Sequence, residues 1–353
     1  MNKGYADLLR QIREDHEKGN SGLDKDSKVL IVDGLNSFIR VFSAVPSVND
    51  DGEHIGGLTG FMKSIGAVIR QFKPTRCIIV FDGKGGSARR KKMHSGYKEG
   101  RVMSTRFRRR DDVGEQTVDS ELASMQWQFG RLAEYLQCLP MTLISIDNIE
   151  ADDAIAYLTT EVFQPKQSEV IIMSDDKDFM QLVDERTSIW RPVEKKFYGP
   201  KEVLEKFGVP SHNFIHYKVF MGDASDNIKG INGVGIKTLQ SKIPTVLGQE
   251  VVDMNDVLEY CKARVDEHKI YKTIVDSEAT IKLNHELMDL RNLDISAHIK
   301  LMIAEMADRP IPLLDKMNFK RMFMLDKAYT AIPNLDTWLA NTFHSLSAYS
   351  SKE

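Results

Sequence analysis

The stretch that most constrains this chain runs from Ser168 to Leu182 and reads S-E-V-I-I-M-S-D-D-K-D-F-M-Q-L. Residues 170–173 form an apolar run with the length and character of a buried strand, and it leads directly into Asp175, Asp176 and Asp178. A strand that ends in three acids calls for positive charge at that end. The same grammar recurs where 29–32 ends at Asp33 and where 77–81 ends at Asp82. A further strand, 141–146, is followed by Glu150-Ala151-Asp152-Asp153, which opens a helix.

Helical segments are expected at 5–18, 58–71 and 120–137, after Glu150, and through the C-terminal half, with one more strand at 188–193. Strands that alternate with helices imply a mostly parallel sheet covered on both faces, an α/β fold. The segment 83–117 is polar and too long for an ordinary connection. The 353 residues allow two modest domains or one large domain with appendages. Cys77, Cys138 and Cys261 are widely spaced, which argues against a disulfide framework or a zinc site. The charged first 28 residues do not read as a signal peptide, and no apolar run reaches the ~18 residues of a membrane span. A cytoplasmic protein is expected.

In open parallel sheets ligands bind outside the carboxyl ends of the strands, where these acids fall. Glu150 and Asp153 are three apart and share a helix face, whereas Asp152 points about 100° away from Asp153. Asp176 and Asp178 alternate, so an extended segment aims both the same way. Two carboxylates ~4 Å apart repel by about 4 kcal/mol at an effective dielectric of ~20. Several such pairs would exceed a stability of roughly 5–15 kcal/mol, so bound divalent cations or protons must offset them. Carboxylate oxygens without His or Cys select Mg²⁺ or Mn²⁺ over zinc. A single Asp after a strand could be a turn residue, and acids at a helix start are favoured by capping. All four strand ends together favour a metal site.

The net charge of -3 hides a segregation. Between Lys84 and Arg110 stand eleven Lys/Arg against one acid, Glu99, with Tyr97 and Phe107 interleaved. Cations with aromatic platforms suit a single nucleic-acid strand. A second candidate is G-D-A-S-D-N-I-K-G-I-N-G-V-G-I-K-T, 222–238. Gly230, Gly233 and Gly235 permit a tight turn, and the helix after it offers free N–H groups to a phosphate beside Lys229 and Lys237.

With these pieces in order, the chain resembles the 5′-nuclease superfamily: flap endonucleases, the 5′–3′ exonuclease domains of bacterial DNA polymerases, and the bacteriophage exonucleases often called RNase H. The matching motifs are V-D-G-L-N at Asp33, F-D-G at Asp82, Y-K-E-G-R at Tyr97, E-A-D-D at Glu150, D-K-D-F-M-Q-L at Asp176, and the 222–238 run. The resemblance implies a PIN-like nuclease core at 28–200, a helical arch or clamp at 84–117, and a helix–three-turn–helix region at 201–295. An extension at 1–27 and a helical segment at 296–353 flank these and carry no motif. It further implies that Asp33, Asp82, Glu150 and Asp152 serve one metal ion. Asp153, Asp176, Asp178 and Asp226 would serve a second, with Asp223 nearby.

Lys98 and Arg101 match arch residues that contact the scissile phosphate, and Tyr97 the ring that supports the displaced nucleotide. Arg90 matches an arch-base arginine on the nucleic acid. Gly233, Gly235, Lys237 and Thr238 match the turn that binds duplex phosphates, in the family often through K⁺. His94 stands where an aromatic is common, and Asp175 where a small residue is. No polymerase segment follows, which suggests a stand-alone enzyme of the phage type. The implied activity is two-metal removal of RNA primers and 5′ flaps, acting on flaps, nicks and RNA–DNA hybrids. A monomer is expected, with a single-strand-binding protein or a clamp as replication partner. The alternatives are a PIN-type ribonuclease for single-stranded RNA and a non-catalytic duplex-binding protein.

Overall fold

Strand β1 (Lys28–Asp33) is apolar on both faces, and such a strand has to lie in the middle of a sheet. In the computed structural model, which describes residues 24–99 and 118–351, it does. On one side it pairs in parallel with β2 (Arg76–Asp82), which pairs with β3 (Thr142–Ile146). On the other it pairs in parallel with β4 (Glu169–Met173), and then come β5 (Thr187–Arg191) and the antiparallel β6 (Lys196–Tyr198). The order β3-β2-β1-β4-β5-β6 reverses direction between β1 and β4, which places the topological switch point there.

Two helices, not one, join β1 to β2. Helix α1 (Gly34–Ala44) begins at once because the Asp33 carboxylate caps it, Oδ1 accepting from the Asn36 N–H at 3.2 Å. Gly34 fits there because a Cβ would stand 2.4 Å from the Phe81 ring. Helix α2 (Gly56–Phe72) follows. After β2 comes a short α3 (Ala88–Met93), and beyond residues 100–117 the chain resumes in α4 (Val118–Gln137). The helix after Glu150 is α5 (Ala151–Tyr157), extended by a wider π turn over Leu158–Phe163. The strand expected at 188–193 ends two residues early, and the chain turns back through Lys195, at a positive φ of 49°, into β6.

The C-terminal half is helical: α6 (Pro200–Phe207), α7 (Phe214–Met221), a hairpin of β7 (Gly222–Asp223) and β8 (Ile228–Lys229), then α8 (Ile236–Lys242). Next come α9 (Met254–Lys262), α10 (Lys269–Asp276) and α11 (Glu278–Met288). The last four are α12 (Ala297–Asp308), α13 (Lys316–Leu325), α14 (Leu335–Thr342) and α15 (His344–Ser347). The segment without motifs completes both layers over the sheet. Ile303 and Ala307 join α5 on one face, while Phe319, Phe323, Leu339, Phe343 and Leu346 join α1, α2 and α4 on the other. A third core, with Val219, Phe220, Val234, Ile281 and Leu287, holds the helical region together. Among the described residues no helix is long and apolar enough to cross a membrane.

Candidate active site at the strand ends

A hydrogen-bonded chain links the acids at the switch point. Ser174 Oγ donates to Asp33 Oδ2 at 2.9 Å, the Asp176 N–H donates to Ser174 Oγ at 3.0 Å, and the Asp178 N–H donates to Asp176 Oδ1 at 2.9 Å. Asp82, exposed at the end of β2, accepts from the Ala151 N–H at 2.8 Å and so fixes the start of α5 beside it. Asp175 faces away, toward Arg40 at 3.4 Å and the Val193 N–H at 3.1 Å. The extra acid therefore belongs to the β5–β6 edge, while Asp176 and Asp178 join the hydrogen-bonded chain that leads to Asp33.

The acids act on one another electrically. Burial, then the charges of Asp176 and Asp82, pushes Asp33 up to about 7. Burial, then Asp176, likewise pushes Asp178 up to about 7, against the pull of Lys218. Asp152 is raised well above its ordinary value by burial, Asp176 and Asp33. Among the described residues none of Asp33, Asp152 and Asp176 pairs with a cation. As the side chains stand, no three acids among those residues converge closely enough to hold an ion. The donor set nevertheless fits a hard divalent cation, which would offset the burial and the mutual repulsion that hold these carboxyls up.

Three side chains from α3 and the turns after it surround Glu150. Arg90 and Lys98 both donate to it, and the Tyr97 hydroxyl lies 3.3 Å away. Burial alone would raise Glu150, but Arg90 and Lys98 outweigh it and hold the carboxyl low. The Lys98 ammonium also lies in the fields of Asp152 and Asp226, and its backbone N–H donates to Asp226 O at 3.0 Å. The hairpin turn that carries Asp223 and Asp226 is thereby tied to the segment around Lys98. Asn227 Nδ2 donates to Gly96 O at 2.9 Å, and His94 packs on the same turn. Asp223 itself is held by Ser225 and by Lys218, which also pairs with Asp178.

Three expectations are corrected. Arg90 does not face nucleic acid: it is 4% exposed, and its donors are taken by Glu150, Asp153 and Leu287 O. Asp153, expected at the second ion, turns both oxygens to Arg90 at 2.6 and 2.9 Å, a bidentate pair inside the protein. The Tyr97 ring is 3% exposed and packed in the third core, so it offers no face to a base. Arg101 lies outside the described residues. Lys229 and Lys237 are exposed, Gly233 takes a positive φ of 77°, Gly235 precedes α8, and Thr238 Oγ1 donates to Gly233 O at 3.3 Å.

Sequence reasoning missed Ser174 and Lys218. The signal for Lys218 was present: a lone cation in the apolar run F-I-H-Y-K-V-F-M needs acids nearby, and Asp223 stands five residues on.

Residues 28–208 match the family described as 5′–3′ exonuclease, N-terminal resolvase-like domain. The chain is similar to DNA polymerase I of Deinococcus radiodurans, 29% identical over 289 residues that cover 81% of this chain and 27% of the polymerase. It thus spans about a quarter of that relative's length. It is also similar to the 5′–3′ exonuclease of Buchnera aphidicola, 30% identical over 61% of this chain and 69% of that one. Among solved structures the flap endonuclease of bacteriophage T5, in a complex with DNA and metal ions, superposes with a TM-score of 0.59. That match covers 85% of this chain and 99% of the other at 20% identity, a likeness of fold.

Proposed function

Because this chain belongs to the 5′–3′ exonuclease family, we propose that it hydrolyses phosphodiesters near the 5′ ends of nicked and flapped nucleic acid. Removal of RNA primers and 5′ flaps during DNA replication is the role this reading gives it. The observation that carries it lies outside β1 and β4, where Asp33, Asp152 and Asp176 lie in one another's electric fields and form no salt bridge among the described residues.

Asp33, Asp82, Glu150 and Asp152 would hold one Mg²⁺, and Asp176, Asp178 and Asp226, with Asp223 beside them, a second, with Mn²⁺ as a substitute. Such ions supply an acidified water and stabilise charge on the attacking and leaving oxygens. Lys98 stands at the crevice on Glu150 and can donate to a scissile phosphate in its place, with Arg101 as its partner from the arch. Lys229, Lys237 and Thr238, around the turn at Gly233 and Gly235, would grip duplex phosphates, with K⁺ at the turn. RNA–DNA hybrids are included as substrates because the proposed contacts are to phosphates, which RNA and DNA share. A monomer that works beside a single-strand-binding protein or a clamp completes the proposal. The exposed turn at 229–238 disfavours the single-stranded RNA alternative, which has no duplex to hold.

Asp176→Asn tests the assignment. It keeps the Oδ1 that receives the Asp178 N–H and removes the charge. Cleavage of a 5′ flap in Mg²⁺ should fall by ~10²–10³-fold while binding to the same DNA stays within about threefold. Wild-type cleavage by the variant would remove the metal role from this crevice.

A further inference from the structure

Helix α11 contributes no carboxylate to the crevice, yet three of the segments that do are fastened to its last turns. Asn284 Nδ2 donates to Val219 O at 3.1 Å and to Lys229 O at 2.8 Å, which holds the end of α7 that leads into the hairpin bearing Asp223 and Asp226 together with its return strand β8. Arg90, whose guanidinium grips Glu150 and Asp153, donates through Nε to Leu287 O at 2.9 Å. Gln181, three residues after Asp178, donates to Met288 O at 2.9 Å and accepts from the Leu290 N–H at 3.0 Å.

Asn284, Arg90 and Gln181 are 3%, 4% and 1% exposed. Leu287 O and Met288 O are among the carbonyls that a helix end leaves without partners, so the attachment also caps α11. Asn284, Leu287 and Met288 share one face, spaced by three and four residues. The same helix shares its core with Val234 of the glycine turn at 233–235.

We propose that Asn284, Arg90 and Gln181 are positioning residues of the nuclease, which register Asp223 and Asp226, Glu150, and Asp178 against one another on the end of α11. This rests on the reading of those carboxylates as ligands of divalent ions. A general contribution to folding would show the same burial, and Gln128 provides the comparison. It is fully buried and holds His54 and the Leu58 N–H, but touches none of the acid-bearing segments.

The test uses the full chain with Gln181→Met, Asn284→Leu and, as comparison, Gln128→Met. Mn²⁺ binding is titrated calorimetrically, kcat and KM are measured on a 5′ flap in Mg²⁺, and melting is followed by circular dichroism. Gln181→Met and Asn284→Leu should each weaken Mn²⁺ binding about tenfold and lower kcat to a similar extent, with KM within about threefold. Gln128→Met should lower the melting temperature while Mn²⁺ affinity and kcat stay within about twofold of wild type.

Folded Gln181→Met and Asn284→Leu proteins with wild-type Mn²⁺ affinity and kcat would overturn the proposal. So would a Gln128→Met protein that loses both to the same degree. If Asn284→Leu does not fold, Asn284→Asp keeps the shape, loses the donor and is judged by the same outcomes. A wild-type chain that neither binds Mn²⁺ nor cleaves would instead overturn the nuclease reading, and this inference with it.

Discussion

Asp33 ends β1, caps α1 and faces Asp176 across the switch point, so one carboxylate carries both fold and site. Its position has a consequence in pH. Asp33 and Asp178 sit at about 7 against an ordinary value of 3.8, so between those values the folded chain holds protons that the unfolded chain has released. The stability they add is complete below about pH 4 and is lost as pH rises through 7. Asp223 runs the other way: Lys218 outweighs its burial and holds it at about 2, so its contribution is lost only as pH falls toward 2. Thermal melts in EDTA should therefore show a lower melting temperature at pH 8 than at pH 5, by roughly 5 °C. Added Mg²⁺ should raise it more at pH 8, and a melting temperature that rises with pH in EDTA would contradict the assignment.

At the scale of elements, what was legible in the sequence was what burial on two faces forces. The runs at 29–32, 77–81 and 170–173 can only be central strands, and β1, β2 and β4 contain them. Helix α1 was hidden because Asp33-Gly34-Leu35-Asn36 reads as a turn when its cap cannot be seen. The roles of Arg90, Asp153 and Tyr97 were hidden for a different reason. A basic stretch beside aromatics reads in sequence as a nucleic-acid surface and acids at a helix start as metal ligands, and only the fold shows that Arg90 pairs with Asp153 in the interior. Helices α13, α14 and α15 carry no motif, yet Phe343, at the junction of α14 and α15, is fully buried against the helical layer. Phe343→Ala should destabilise the chain by about 3–5 kcal/mol in denaturant unfolding. A change below about 1 kcal/mol would mean that these helices do not complete the layer.

For the whole molecule, net charge conceals a division of labour. Acids collect at the strand ends, while bases stand on α3, at Lys98 and at Lys229 and Lys237. If those two lysines each meet a phosphate, Lys229→Ala with Lys237→Ala should reduce the slope of log Kd against log salt by about 2 on duplex DNA. An unchanged slope would move the duplex grip elsewhere. The most direct test of the proposed nuclease offers the chain three 5′-labelled substrates: a 5′ flap, a nicked RNA–DNA hybrid and single-stranded RNA. Each is incubated in Mg²⁺ and in EDTA. Mg²⁺-dependent products are expected from the 5′ end of the flap and the hybrid, and none in EDTA. Cleavage confined to single-stranded RNA, or binding without cleavage in Mg²⁺, would contradict it.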